Sequence, residues 1–311
     1  MIKLFKPKFW DIKTINIFSI LLFPLSLITL VLIFFKKRIT KKRVFEIPII
    51  CVGNIYVGGT GKTPTSIVLS KELSILGFKP VIIRKFYANH TDEFNQIRNN
   101  FNNLIINKDR EAGIIEAQQK GYNVVILDDG FQDYKIKKDL NIICFNQNQL
   151  IGNGFILPAG PLRENLSALI NANIVLINGK KDHDFEKRVI KINNNLKIYY
   201  SEYKPINIDE FKGHKLLALA GIANPENFFM LLKKNNLNIK KKLIFPDHYK
   251  FTKKDLQNIV NIARENNLKI VTTEKDFFKI TDFKLKEINH LKVSLVFQEK
   301  KKLLDEVKSF L

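Results

Sequence analysis

The chain has 311 residues, of which 45% are hydrophobic, and carries 51 Lys+Arg against 30 Asp+Glu for a formal net charge of +21. That length allows a substantial buried core and predicts about two domains. The two cysteines, Cys51 and Cys144, lie in apolar strand-like runs without metal-ligand spacing, which excludes a cysteine metal site and suits a reducing compartment. The charge suggests an anionic partner, whether nucleic acid, a membrane surface or a phosphorylated substrate, although lysine and asparagine are frequent throughout.

From Thr14 to Phe35 no residue is charged, and Ile, Leu and Phe dominate. At about 1.5 Å rise per residue the run could cross a bilayer core of about 30 Å. Lys36, Lys37, Arg38, Lys41, Lys42 and Arg43 follow it. The positive-inside rule then puts the rest of the chain on the cytoplasmic side of the inner membrane. Lysines also precede the run, and Pro24 interrupts it. A kinked helix in one leaflet is therefore as reasonable as a full span. Residues 1–43 are taken as a membrane-associated segment with a basic flank, and 14–43 as the membrane contact.

Ile49 to Leu69 reads as a strand, a glycine-rich turn and a helix. Gly58, Gly59 and Gly61 permit positive φ and close backbone approach, so successive amides, with that of Thr60, can point at phosphate oxygens. Lys62 can reach the β and γ phosphates, and the Thr63 hydroxyl can sit on Mg2+. The strict pattern has a glycine where Tyr56 stands, so this is a variant phosphate loop.

A helix closed by Gly77, a strand from Pro80 to Arg84 and a loop from Lys85 to Gln96 come next. The loop holds Asp92-Glu93, placed where open α/β sheets do chemistry, although the local sequence alone favours a solvated surface pair. Asn123 to Leu127 is a buried strand running into Asp128-Asp129-Gly130, as a phosphate-loop enzyme needs for Mg2+. After a strand from Leu140 to Phe145, the loop from Gly152 to Asn165 carries Arg163 and Glu164 ahead of an expected helix. Arginine there suits a phosphate and glutamate a metal or sugar hydroxyl; a helix-start ion pair fits the spacing as well. Asn173 to Ile177 is a further strand, and the sequence is then polar through Asn195.

The expected division is a phosphate-loop core over 44–210 and a smaller α/β domain over 211–311. In the latter, His248 beside Asp247 is either a positioned imidazole or a surface histidine in a turn. The fold class expected is α/β, P-loop NTPase-like, with a mostly parallel sheet, a second smaller α/β domain and an N-terminal membrane-associated helix.

Taken together, VGNIYVGGTGKTP at 52–64, Asp92-Glu93, DDGFQ at 128–132, the GNG and LPAGPLRE strings within 152–164, LAGIANPENFF at 219–229, FPDHYKFT at 245–252 and TEKD at 273–276 resemble the tetraacyldisaccharide 4'-kinases of lipid A biosynthesis. The resemblance implies a membrane-bound enzyme that moves the γ-phosphoryl of ATP, with Mg2+, to the 4'-hydroxyl of an acylated disaccharide 1-phosphate lipid. It also implies Asp92 as the catalytic carboxylate, His248 as its assisting histidine and Lys62 as the phosphate-loop lysine. Thr63, Asp128 and Glu164 would stand around the metal, and Asp129 and Arg163 around substrate and phosphates. Two departures are visible: Asp133 replaces the family's histidine, and Arg84-Lys85-Phe86-Tyr87 replaces its Arg-Gly-Tyr-Gly turn.

Two other classes fit the sequence less well. A membrane-bound GTPase-like switch should carry an Asn-Lys-x-Asp element, and Asn107-Lys108-Asp109-Arg110 has its aspartate one residue early. A nucleic-acid binder lacks zinc spacing, RNP-like aromatics or an arginine-rich run beyond the membrane flank, so no nucleic-acid partner is expected, and no protein partner is inferable.

Overall fold

The computed structural model describes residues 7–12, 16–87, 91–247 and 249–311, with only the backbone of Thr91 and Asp92. Its elements are, in chain order, α1 (Ile17–Ile39), β1 (Ile49–Gly53), α2 (Lys62–Ile75), β2 (Pro80–Lys85), α3 (Thr91–Asn100), β3 (Leu104–Asn107), α4 (Arg110–Gln119), β4 (Val124–Asp128) and β5 (Leu140–Asn146). They continue with β6 (Ile174–Asn178), α5 (His183–Ile192), β7 (Lys197–Pro205), β8 (Lys215–Ala220), α6 (Pro225–Lys234), β9 (Asn238–Ile244) and α7 (Lys253–Glu265). Last come β10 (Lys269–Thr273), α8 (Glu274–Ile280), β11 (Ile288–Leu291), β12 (Val293–Phe297) and α9 (Lys300–Lys308).

Eight strands form one sheet in the order β12-β7-β6-β5-β1-β4-β2-β3, and four form another in the order β11-β10-β8-β9. The central strands β1, β2 and β4 read as continuous apolar runs because both faces are covered, and β1 and β4 are buried at every position. Their pairings are parallel, as are all four strands of the smaller sheet, which bears out the expected α/β class.

The chain divides into two compact units that are not continuous in sequence. Tyr87–Asn100 and Tyr203–Ser294 belong to one, and Lys6–Phe86, Phe101–Glu202 and Leu295–Leu311 to the other. Several local readings change. The segment from Lys85 to Gln96, expected as a loop, contains the start of α3, and the polar stretch after β6 holds α5, capped by the Asp182 side chain. The helix expected after Glu164 is a 3-10 segment, Leu166–Asn171.

α1 exposes Phe18, Leu21, Leu25, Leu32 and Phe35 along one side. Its other side is held to the loop after β5. Ser26 Oγ donates to Ile156 O at 2.8 Å and accepts from Ala159 N–H at 3.0 Å, and Asn153 Nδ2 donates to Ser19 Oγ at 3.0 Å. Both serines are buried, so they mark the docked face of a largely apolar helix.

Candidate active site

β1 and β4 lie side by side with Val52 opposite Asp128, so the phosphate loop and the Asp-Asp-Gly turn leave the sheet together at the strands' carboxyl ends. Gly53 makes this fit: a Cβ there would stand 2.5 Å from that of Phe131. The loop's entry is itself paired, with Val57 N–H donating to Pro161 O at 2.9 Å and Arg163 N–H to Ile55 O at 2.7 Å. Tyr56, the departure from the strict motif, is fully buried and donates its hydroxyl to Asp11 Oδ1 at 2.8 Å. Burial, reinforced by Asp11, pushes that phenol well above its ordinary range, so it remains a donor.

Gly58 and Gly61 have φ of 112° and 92°, values that glycine adopts without strain. A Cβ on Gly59 would meet nothing within 4 Å. Among the described residues, no backbone acceptor takes the N–H of Gly58, Gly59, Thr60, Gly61, Lys62 or Thr63, and the first bond of α2 is Thr65 N–H to Gly61 O at 3.0 Å. Such a run of donors at a helix N-terminus fits phosphate oxygens. Asn54, buried beneath the loop's chain, donates to Thr60 Oγ1 at 2.9 Å and to Gly58 O at 3.3 Å.

Asp128 is fully buried and accepts from Thr63 Oγ1 at 2.9 Å and Ser66 Oγ at 3.1 Å. Arg84 pairs with the same carboxylate and donates to Thr63 Oγ1 at 3.0 Å. This arginine is placed by register, since Arg84 and Asp128 are partners across β2 and β4. Asp129 has a left-handed φ of 57° and meets Arg163 at 2.8 Å and Lys62 at 3.6 Å. Burial alone would raise its pKa, but Lys62, Arg163, Arg84 and Arg110 together hold the carboxyl well below the usual range. Arg110 secures the turn by donating to Asp129 O at 2.8 Å and pairing with Asp133 at 3.2 Å.

The structure thus brings Lys62, Thr63, Asp128, Asp129 and Arg163 together with the loop glycines. Glu164 is buried and turned to Lys37 Nζ at 2.5 Å, while Gln132 Nε2 donates to its other oxygen at 3.1 Å. The oxygen donors Thr63 and Asp128 suit Mg2+, which takes few protein ligands beside phosphate oxygens and water. No group of three or more His, Cys, Asp or Glu that could hold a metal ion occurs among the described residues.

The Asp92 side chain and His248 lie outside the described residues. Their chain neighbours Glu93 and Asp247 share Lys275, at 3.6 and 3.1 Å. All three belong to the unit built on the four-stranded sheet.

A family model described as tetraacyldisaccharide-1-P 4'-kinase matches residues 18–311. The chain belongs to this family. It is 42% identical over 308 residues to the tetraacyldisaccharide 4'-kinase of Pelagibacter ubique (strain HTCC1062), covering 98% of each protein. It is 34% identical over 298 residues to that of Rickettsia bellii (strain OSU 85-389), covering 91% of each. Its fold is that of the crystal structure of the "apo" form LpxK from Aquifex aeolicus in complex with ATP, with a TM-score of 0.72 at 23% identity over 94% of this chain and 99% of that one.

In this 4'-kinase chain several residues around the phosphate loop escaped the motif reading. Arg84 was visible as a charge closing a buried apolar strand, and its partner follows once β2 and β4 are neighbours. Arg110, Gln132 and Lys37 find their partners 19 or more residues away in the chain, so no local pattern shows what they hold.

Proposed function

We propose that the protein transfers the γ-phosphoryl group of ATP to the 4'-hydroxyl of a tetraacyldisaccharide 1-phosphate in lipid A biosynthesis. The observation that carries this reading is the unpartnered run of phosphate-loop amides joined to the Thr63–Asp128 corner in a chain of this family. The loop amides and Lys62 bind and orient the phosphates, and Lys62 with Arg163 offsets the charge that develops on the transferring group. Mg2+, when bound, supplies electrostatic neutralisation of the phosphate oxygens, with Thr63, Asp128 and Glu164 as its candidate holders. Asp129 holds Lys62 and Arg163 ready, staying ionised at any working pH.

Asp92 accepts the proton of the sugar hydroxyl, and His248 assists it. The shared lysine of Glu93 and Asp247 supports bringing these two together. In the accompanying domain assignment, 44–210 is the kinase core and 211–311 the smaller domain, with α3 and residues 203–210 joining the smaller unit and Leu295–Leu311 returning to the core.

The enzyme works at the inner membrane with its catalytic units on the cytoplasmic side. α1 rests in one leaflet: its bonds through Ser19 and Ser26 would otherwise carry the polar backbone of the loop after β5 into hydrocarbon. Incubating the purified full chain with Mg-ATP and detergent-solubilised disaccharide 1-phosphate lipid should give a product with one more phosphate. An unchanged lipid alongside intact ATP binding would refute the acceptor, and GTP outcompeting ATP would refute the donor.

A further inference from the structure

Six basic residues follow the apolar part of α1, and on composition alone they form one membrane-facing cluster. Their surroundings differ. Arg38, Lys41 and Lys42 are exposed, whereas the Lys37 ammonium meets Glu164, whose side chain is 2% exposed. A carboxylate so buried needs a compensating cation, and Lys37 contacts it at 2.5 Å.

Glu164 does not end the connection. Its other oxygen accepts from Gln132 Nε2, which also donates to Asn54 O at 2.8 Å. Asn54 in turn holds Thr60 and Gly58 of the phosphate loop through Nδ2. A continuous series of polar contacts therefore runs from the last turn of α1 to the loop that carries the free amides. Removing one member of such a buried series leaves its neighbour's polar group unpaired, which is costly.

We infer that Lys37 is a positioning residue for nucleotide binding, acting through Glu164, Gln132 and Asn54 on the phosphate loop, and is not one more charge for the lipid surface. The inference rests on the nucleotide site proposed above. Without Lys37 the buried carboxylate loses its contacting cation and must turn to another partner, which releases Gln132 and loosens the loop.

The test uses the full chain in detergent and reads the Kd of a fluorescent ATP analogue with no acceptor lipid present. Lys37→Met, acting through three intervening residues, is expected to weaken binding about tenfold, the lower end of what losing a partner behind the ligands costs a metal site. The KM for ATP should rise in parallel while kcat changes far less, and Lys37→Arg should restore most of the affinity. Lys41→Met is the comparison: it should reduce partition onto phosphatidylglycerol and phosphatidylcholine vesicles and leave the Kd unchanged. If Lys37→Met fails to fold, Lys37→Gln, which also removes the cation, is measured in its place with the same loss expected. Wild-type affinity in the Lys37 variant, or an equal loss in Lys41→Met, overturns the inference while the kinase reading stands. No nucleotide binding by the wild type overturns both.

Discussion

β4 of the eight-stranded sheet and β10 of the four-stranded sheet are both buried parallel strands that run straight into acidic turns, VVILDD and KIVTTEKD. At the second of these ends, Asp276 is fully buried and its partners are the fold's own. It accepts from Gly221 N–H at 2.7 Å and Thr273 Oγ1 at 2.8 Å, and pairs with Lys279 one turn on at 2.7 Å. Thr273 caps α8 through the Asp276 amide, so the carboxylate closes a helix start and ties it to the turn after β8. At the first end, Asp128 takes hydroxyls from the helix that opens with the phosphate loop, and Asp129 gathers Lys62 and Arg163 from two other segments. An acid at a strand end thus becomes part of a site only when other elements bring cations and hydroxyls to it beside donors that the fold leaves unpaired.

The largest effect that would sharpen this contrast is expected at Arg84. Arg84→Met leaves the Asp128 carboxylate buried with hydroxyl partners alone, and should cost about 3–5 kcal/mol of stability. The double variant Arg84→Met with Asp128→Asn removes the stranded charge and should recover part of the loss in urea unfolding. If the single variant is as stable as wild type, Arg84 is not the counter-charge of that corner.

Next is Lys62→Met. Its ammonium faces Asp129 and the loop rather than the core, so the fold should survive while turnover falls about a hundredfold to a thousandfold. Phosphoryl transfer to the lipid reads the turnover, and the thermal midpoint reads the fold. A variant that loses stability without losing turnover would make Lys62 a structural residue like Lys279.

Asp276→Ala should do the reverse. It removes the acceptor of Gly221 N–H and the partner of Lys279, at a cost of about 2 kcal/mol. Turnover per folded molecule should change far less than in Lys62→Met. A large fall in kcat at unchanged stability would place Asp276 in the chemistry and dissolve the distinction between the two strand ends.

How much of this was legible in the sequence follows the same division. The strands β1, β2, β4 and β10 were readable as apolar runs, and the phosphate loop and Asp128-Asp129 as residue types whose chemistry is local. Tyr56 read as a flaw in a motif, because its partner Asp11 is 45 residues earlier and enters only with the fold. α3 was hidden because its sequence, TDEFNQIRNN, offers few apolar positions for a helical period to show itself. Arg110 opens α4 after the Asp109 cap, a position that implies no distant partner. Only the tertiary structure gives it the Asp133 carboxylate and the carbonyl of Asp129 to hold.

The smallest expected difference between the two regions is in their response to acid. Asp129, depressed by its cations, contributes stability that is present above its unfolded value of about 3.9 and is lost only as pH falls through the lower folded one. It therefore stays constant across mildly acidic pH. His290 in β11 stacks on Phe277 at a ring separation of 4.1 Å, and burial, with the Lys292 charge, lowers its pKa against the opposing pull of Glu210. A histidine shifted that way favours the fold fully above its unfolded value of about 6.5, and the contribution fades as pH falls towards the folded value. Amide exchange should thus quicken in β10 and β11 between about pH 7.5 and 5.5, after correction for intrinsic rates, while β1 and β4 keep their protection. His290→Gln should remove the slope in the first pair and leave the second untouched; equal slopes in both sheets would mean that the titrating group lies elsewhere.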